Sequence, residues 1–270
     1  MPSKDDSKDK QYMQARKHTG EAQSNVADQE EANVGLALMI VDVINDIDFP
    51  DNDHMVKSAK PMAERIKVLK DKCQKLGVPV IYCNDNFGKW KSDIGKIYDH
   101  VTNDDTPGKP IAQLLKPGKD DYFMLKPKHS AFYGSALDHL LTYLQVKSLI
   151  IVGMAGNVCI LFTANDAYMR DYATFVPRDC ISSSSPEEHD AALLLMEKVL
   201  RTNTSPSTEL DLEKIVKVHT EQNGNAKKRK QQEEDSSEQH GEDMGADKQK
   251  SARTGRTGKG GCRDPKGNCD

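Results

Sequence analysis

The 270-residue sequence predicts a three-layer α/β/α sandwich around a mainly parallel sheet, with disordered N- and C-terminal extensions. Two observations carry this expectation. In the middle of the chain short apolar runs alternate with amphipathic stretches, which is how a parallel sheet with crossover helices is written. At both ends that periodicity disappears and polar residues take over. Hydrophobic residues make up 36% of the chain against 30% charged, enough apolar material for one good-sized domain.

Taken in order, residues 1–33 are dominated by Lys, Asp, Gln and Ser and cannot offset the entropy of being ordered. The domain is expected over 34–220. Five runs within it read as buried strands: Leu36 to Val41, Val78 to Cys83, Tyr122 to Leu125, Ser148 to Val152 and Ala173 to Val176. Met62, Ile66, Leu69, Cys73 and Leu76 recur at spacings of three and four, the stripe of an amphipathic helix, and Gly77 with Pro79 closes it. Leu137, Leu140, Leu141 and Leu144 mark a second helix, Val158 to Tyr168 a third and Ala191 to Leu200 a fourth. Phe87 to Gly108, with Trp90, Asp93, Tyr98 and Pro107, reads as a loop or cap over one sheet edge. Residues 221–270 form a charged, low-complexity tail in which, as far as Gly261, the apolar side chains are Ala226, Met244, Ala246 and Ala252.

A net charge of -4 offers no basic face for nucleic acid. No run of apolar residues is long enough for a membrane span, and the start lacks the apolar core of a signal peptide. The expected partner is therefore a small molecule, and the expected compartment the cytoplasm. Cys73, Cys83, Cys159 and Cys180 lack metal-type spacing and read as reduced thiols. Cys262 and Cys269 have no His or further Cys nearby to complete a zinc site. Lys227, Lys228, Arg229 and Lys230 fit a nuclear import signal in a eukaryotic source, although a solvated charge run is the simpler account.

In an open α/β sheet the ligand crevice lies beyond the carboxyl ends of the strands. Here the first strand ends in Asp42, the second runs into Asn84 and Asp85, the third ends in Lys126, and the fourth leads through Gly153 to Gly156 into a helix that opens around Cys159. Each alone has a bland reading: a turn residue, a solvated charge, a buried small hydrophobe. Together they offer an acid, an amine and a thiol. A helix N-terminus and a nearby ammonium both favour a thiolate, so the thiol is expected to be acidified.

Three stretches carry a family resemblance. ALMIVDVINDIDF (Ala37 to Phe49), MLKPKHSAF (Met124 to Phe132) and GMAGNVCILFTANDAY (Gly153 to Tyr168) resemble, in the same order, the first strand, lysine motif and nucleophile motif of the isochorismatase-like superfamily, in its cysteine hydrolase branch. The resemblance implies a Rossmann-like sheet and a catalytic set of Asp42, Lys126 and Cys159, with Lys126 rather than Lys128 matching the motif. It implies an oxyanion hole from the backbone N–H groups of Ala155 and Cys159, with a cis bond between Met154 and Ala155. The implied reaction is hydrolysis of a carbon–nitrogen bond in an amide, ureide or carbamoyl group through a thioester; no cofactor is expected. The branch that hydrolyses isochorismate works without the cysteine, so Cys159 points away from vinyl-ether chemistry.

Two departures matter. Nicotinamidases of the superfamily hold a metal with an Asp-x-His pair after the second strand; Asp85 fits the Asp, but Phe87 stands where the His belongs, so no metal is expected. Gly156 stands where relatives commonly carry Thr or Ser, which loosens the loop or removes a hydroxyl from the pocket. Asn86, Phe87 and Trp90 are expected to line the pocket. His129 beside Ser130 lacks the Gly-x-Ser-x-Gly context of a serine hydrolase. Relatives commonly assemble, which leaves a homo-oligomer open, and the rival to an enzyme is an inactive homologue kept as a binding or assembly module.

Overall fold

The computed structural model describes residues 34–48, 53–85, 93–103 and 105–221. The first strand, β1 (Leu36–Val41), is buried along its whole length, as a strand covered by helices on both faces must be. Parallel to it lie β2 (Val80–Asp85) on one side, with Leu38 opposite Val80, and β4 (Ser148–Met154) on the other, with Leu36 opposite Ser148. Outside these, β3 (Tyr122–Lys126) pairs with β2 and β5 (Ala173–Phe175) with β4, while the two-residue β6 (Ile181–Ser182) joins the end of β4. Every pairing is parallel, in the order β3-β2-β1-β4-β5. The chain thus runs outward from β1 through β2 and β3, then crosses back to β4, and the order reverses between β1 and β4. A crevice opens at such a switch point.

The side chains of β1 alternate between two cores. Leu36, Leu38 and Ile40 pack with Met55, Ile66 and Leu69 of α1 (Asp53–Lys75) and with residues of α2 (Ile94–Asn103) and α3 (Lys109–Leu114). Ala37, Met39 and Val41 pack with Leu137 and Leu141 of α4 (Leu137–Tyr143), Ala164 of α5 (Leu161–Tyr168) and Met196 of α6 (Pro186–Lys198). This is the expected three-layer sandwich, since alternate residues of a strand face opposite ways. Residues 212–221 add a further helical segment, α7.

The stripe on α1 is buried as expected at Met62, Ile66, Leu69 and Cys73. Its end is closed by Gly77 at φ +70, where the Gly77 and Val78 N–H groups return to the carbonyls of Gln74 and Cys73 at 3.1 and 2.9 Å. That pair of bonds requires a left-handed residue at Gly77.

Three expectations are revised. The second strand begins two residues later than its apolar run and includes Asn84 and Asp85, because pairing with β1 sets its start. The segment read as a cap contains α2, whose Ile97 and Val101 are buried at helical spacing and whose first turn is capped by Asp93, the carboxylate accepting from the Lys96 N–H at 3.0 Å. The fourth helix starts at Pro186, five residues early, because the Ser185 hydroxyl accepts from the Glu188 N–H at 3.2 Å. Asn86, Phe87 and Trp90, the tail cluster at residues 227–230, both tail cysteines and, apart from Glu221, both terminal extensions lie outside the described residues.

Candidate active site

Asp42 follows β1 directly, in a left-handed conformation at φ 53, and is 4% exposed. That turn folds its carboxylate back across the strand ends. Its Oδ1 accepts the Asp85 N–H at 2.7 Å, and its Oδ2 lies 2.7 Å from the ammonium of Lys126. Lys126, the last residue of β3, has no exposure at all. Its Nζ donates to the carbonyl of Lys128 at 3.1 Å and to Cys159 Sγ at 3.6 Å, with Asp85 Oδ2 at 3.9 Å. An ammonium taken wholly out of water needs this many acceptors.

Cys159 arrives from the other side of the switch point. It sits in a π-helical turn, Gly156–Ile160, that begins just after β4 and runs into α5. Gly153, at φ +120 in β4, brings the two strand ends together: a side chain there would run into the backbone of Val41. The Met154–Ala155 peptide bond is cis, and the Ala155 carbonyl accepts from the N–H groups of Val158 and Ile160 at 3.1 Å each.

The charges are tightly coupled. Burial pushes the Asp42 carboxyl above its ordinary range, opposed by the adjoining Lys126 and by a hydrogen bond from Cys159. Burial works to lower the Lys126 ammonium, but Asp42, Cys159 and Asp85 together hold it up, so it stays charged. The Cys159 thiol is pushed up to about 12 by burial and by the Asp42 charge, against the pull of Lys126. The expectation of an acidified thiol is therefore corrected. Lys126 acts in the expected direction, but dehydration of the sulfur and the nearby carboxylate outweigh it. Burial and the nearby carboxylate thus favour the thiol over the thiolate.

At Gly156 the structure supplies a reason for the missing side chain. The Ser183 hydroxyl fills the space that a β-carbon at Gly156 would need, and it bonds with His189 Nδ1 at 3.3 Å. The Ser182 to Ser185 run is tied to α1 through Ser182 and Ser58, at 2.6 Å, and through His54 Nδ1 and the Ser183 carbonyl, at 3.0 Å. Cys180 is fully buried, as expected of a packing residue. Sequence reasoning weighed His129 only as a partner of Ser130, not of Cys159. Its Nδ1 lies 4.0 Å from Cys159 Sγ, and the only sequence signal was its place three residues beyond a strand-terminal lysine. Among the described residues no three His, Cys, Asp or Glu side chains are grouped to hold a metal ion, and no helix is long and apolar enough to cross a membrane.

This arrangement can remove a proton from a thiol and hold a negative charge beside it. Comparison with known proteins agrees with the fold. The family model described as the isochorismatase domain matches residues 36–206. An uncharacterised isochorismatase family protein of Bacillus subtilis is 47% identical over 164 residues, spanning 61% of this chain and 90% of the relative. Nicotinamidase 3 of Arabidopsis thaliana is 26% identical, over 58% of this chain and 78% of its own. Among solved structures, an isochorismatase family protein of Desulfovibrio vulgaris is similar at a TM-score of 0.54 and 27% identity, covering 66% of this chain and 96% of the other.

Proposed function

The chain belongs to the isochorismatase family, a family of hydrolases with amidases among its members, and from that premise we propose that it hydrolyses a carbon–nitrogen bond of a small molecule through Cys159. The substrate class is an amide, ureide or carbamoyl compound. One observation carries this reading: Asp42, Lys126 and Cys159 come from three separate strand ends and meet within hydrogen-bonding distance.

The chemistry follows from the electrostatics. The thiol is too weak an acid to ionise by itself, so Asp42, whose carboxyl is raised by burial and hence a better base, takes its proton as the sulfur attacks the carbonyl carbon. Lys126 stays an ammonium and offsets the charge that passes between sulfur and carboxylate. Asp42 then returns the proton to the departing nitrogen, which leaves as a neutral amine or ammonia, and water hydrolyses the thioester. The family resemblance assigns the oxyanion formed in both halves to the backbone N–H groups of Ala155 and Cys159. One such donor is worth about 100- to 1,000-fold in rate.

Two relatives support a nitrogen leaving group, nicotinamidase 3 and, at 36% identity over 88 residues and 34% of its own length, a ureidoacrylate amidohydrolase of Methylobacterium radiotolerans. The test is a panel of small amides, ureides and carbamoyl compounds assayed for release of ammonia or amine. The native protein should turn over at least one. Cys159→Ala should abolish that turnover without altering the circular dichroism, since it removes a nucleophile and little volume. Turnover that survives in Cys159→Ala refutes covalent catalysis, and a native protein inert across the panel favours a binding or assembly module.

A further inference from the structure

Cys159 Sγ has two sides. On the buried side stand Lys126 Nζ at 3.6 Å and the Asp42 carboxylate, residues 0% and 4% exposed. On the open side stands the exposed His129, with Nδ1 at 4.0 Å. The imidazole is not a loose surface group. Its ring lies 5.8 Å from that of Phe162, tilted by 38°, and its loop is fastened on both flanks. Lys126 Nζ donates to the Lys128 carbonyl at 3.1 Å, the Ala131 N–H donates to Thr163 Oγ1 at 3.0 Å, and the Ser130 hydroxyl donates to Asp166. Phe162, Thr163 and Asp166 all belong to α5, which continues directly from the turn that carries Cys159. The same helix therefore fixes both the sulfur and the imidazole.

Resting on the proposed nucleophile, we propose that His129 is the catalytic base of the second half-reaction, the one that activates the water attacking the thioester. That water has to come from solvent, and among the described residues His129 stands as a proton acceptor on the solvent side of the sulfur. His129 accepts a proton at Nδ1 as the water oxygen bonds to the carbonyl carbon. When the tetrahedral species collapses, the carbon–sulfur bond breaks and Nδ1 passes that proton to Sγ. One hydrogen of water ends on the thiol and the other stays on the acid, so imidazole and thiol are both restored. Asp42 serves the first half-reaction from behind the sulfur, and His129 the second from in front.

The probe is 4-nitrophenyl acetate, whose nitrophenolate reports acylation and whose acetyl group reports the thioester by intact mass, with Cys159→Ala as background for other thiols. In the native full-length protein the acetyl adduct on Cys159 should form and clear. In His129→Ala and His129→Gln the nitrophenolate burst should keep its rate, while the adduct persists and steady turnover falls on the order of 100-fold. Added imidazole should restore clearance in His129→Ala, since the side chain it replaces is exposed. An adduct that clears as fast in both variants as in the native protein overturns the role of His129 and leaves the nucleophile standing. A burst slowed as much as turnover also overturns it, because His129 would then serve acylation. Absence of any Cys159 adduct in the native protein removes the nucleophile and this step with it.

Discussion

Replacing Lys126 by methionine tests the coupling at the heart of the site. The exchange keeps a long apolar stem and deletes one charge of an ion pair whose side chains are 0% and 6% exposed. Asp42 retains the Asp85 N–H at 2.7 Å but loses the ammonium at the same distance. Breaking a buried pair by removing one partner costs about 3–5 kcal/mol, because the other charge is left uncompensated. At about 2–4 °C per kcal/mol for a domain of this size, Tm should fall by about 6–20 °C. The loss should depend on pH in a fixed direction. Burial already holds the Asp42 carboxyl above its ordinary value, with Lys126 opposing, and without Lys126 it rises further. A carboxyl whose folded pKa exceeds its unfolded one favours the fold when protonated, so the variant should approach native stability in acid and lose ground as pH rises through the folded value. Asp42→Asn combined with Lys126→Met removes both charges and should recover most of the loss, as replacement of whole buried pairs usually does. Urea unfolding followed by circular dichroism, at about pH 5 and about pH 8, for the native protein, both single variants and the double, gives the coupling energy directly. A Lys126→Met protein as stable as native at the higher pH, or a double variant no better than the single, refutes the buried pair.

Three shorter predictions follow from the same structure. With its thiol pushed up to about 12, Cys159 should react slowly with iodoacetamide at neutral pH, and its alkylation, resolved by peptide, should climb about tenfold per pH unit in the alkaline range. Lys126→Met should slow that reaction further, since Lys126 is the group that pulls the thiol down; a plateau near neutral pH would show a standing thiolate instead. Prolonged dialysis against a chelator should leave turnover unchanged, because Phe87 stands where a metal-binding His would be needed; activity lost and then restored by zinc, manganese or iron contradicts this. Removal of residues 1–33 and 222–270 should preserve both Tm and turnover, since those segments offer little apolar surface to bury; a fall in either assigns the end segments a docking role.

Much of this fold was legible in the sequence because buried parallel strands have little choice of residues. LALMIV at Leu36–Val41 coincides with β1 to the residue. Legibility ended where polar residues entered the elements. Asn84 and Asp85 belong to β2 by pairing, not by character, and Ile181–Ser182 is too short to leave a periodic trace. Three helix starts were written in capping residues rather than in apolar spacing: Asp93 with Lys96, Ser185 with Glu188, and Asp211, whose carboxylate accepts from the Lys214 N–H at 3.0 Å. In the site, the meeting of Asp42, Lys126 and Cys159 followed from strand ends plus motif order. The state of the thiol did not, because a pKa depends on burial and on which charges lie nearest, and neither is written in a local motif. His129 was passed over for the same reason: its significance lies in a distance to a residue thirty positions away.

Gly156 and Ser183 claim one volume between them. A methyl group at 156 would force the Ser183 hydroxyl out of its bond with His189 and press on Ile181. Substitutions at the two positions are therefore contingent on each other: an alanine or serine at 156 is tolerable mainly in a background that has already vacated the space at 183. In an evolving or engineered lineage the order of the two changes matters as much as their identity, and a single exchange copied from a relative at either position carries a penalty that the pair together does not.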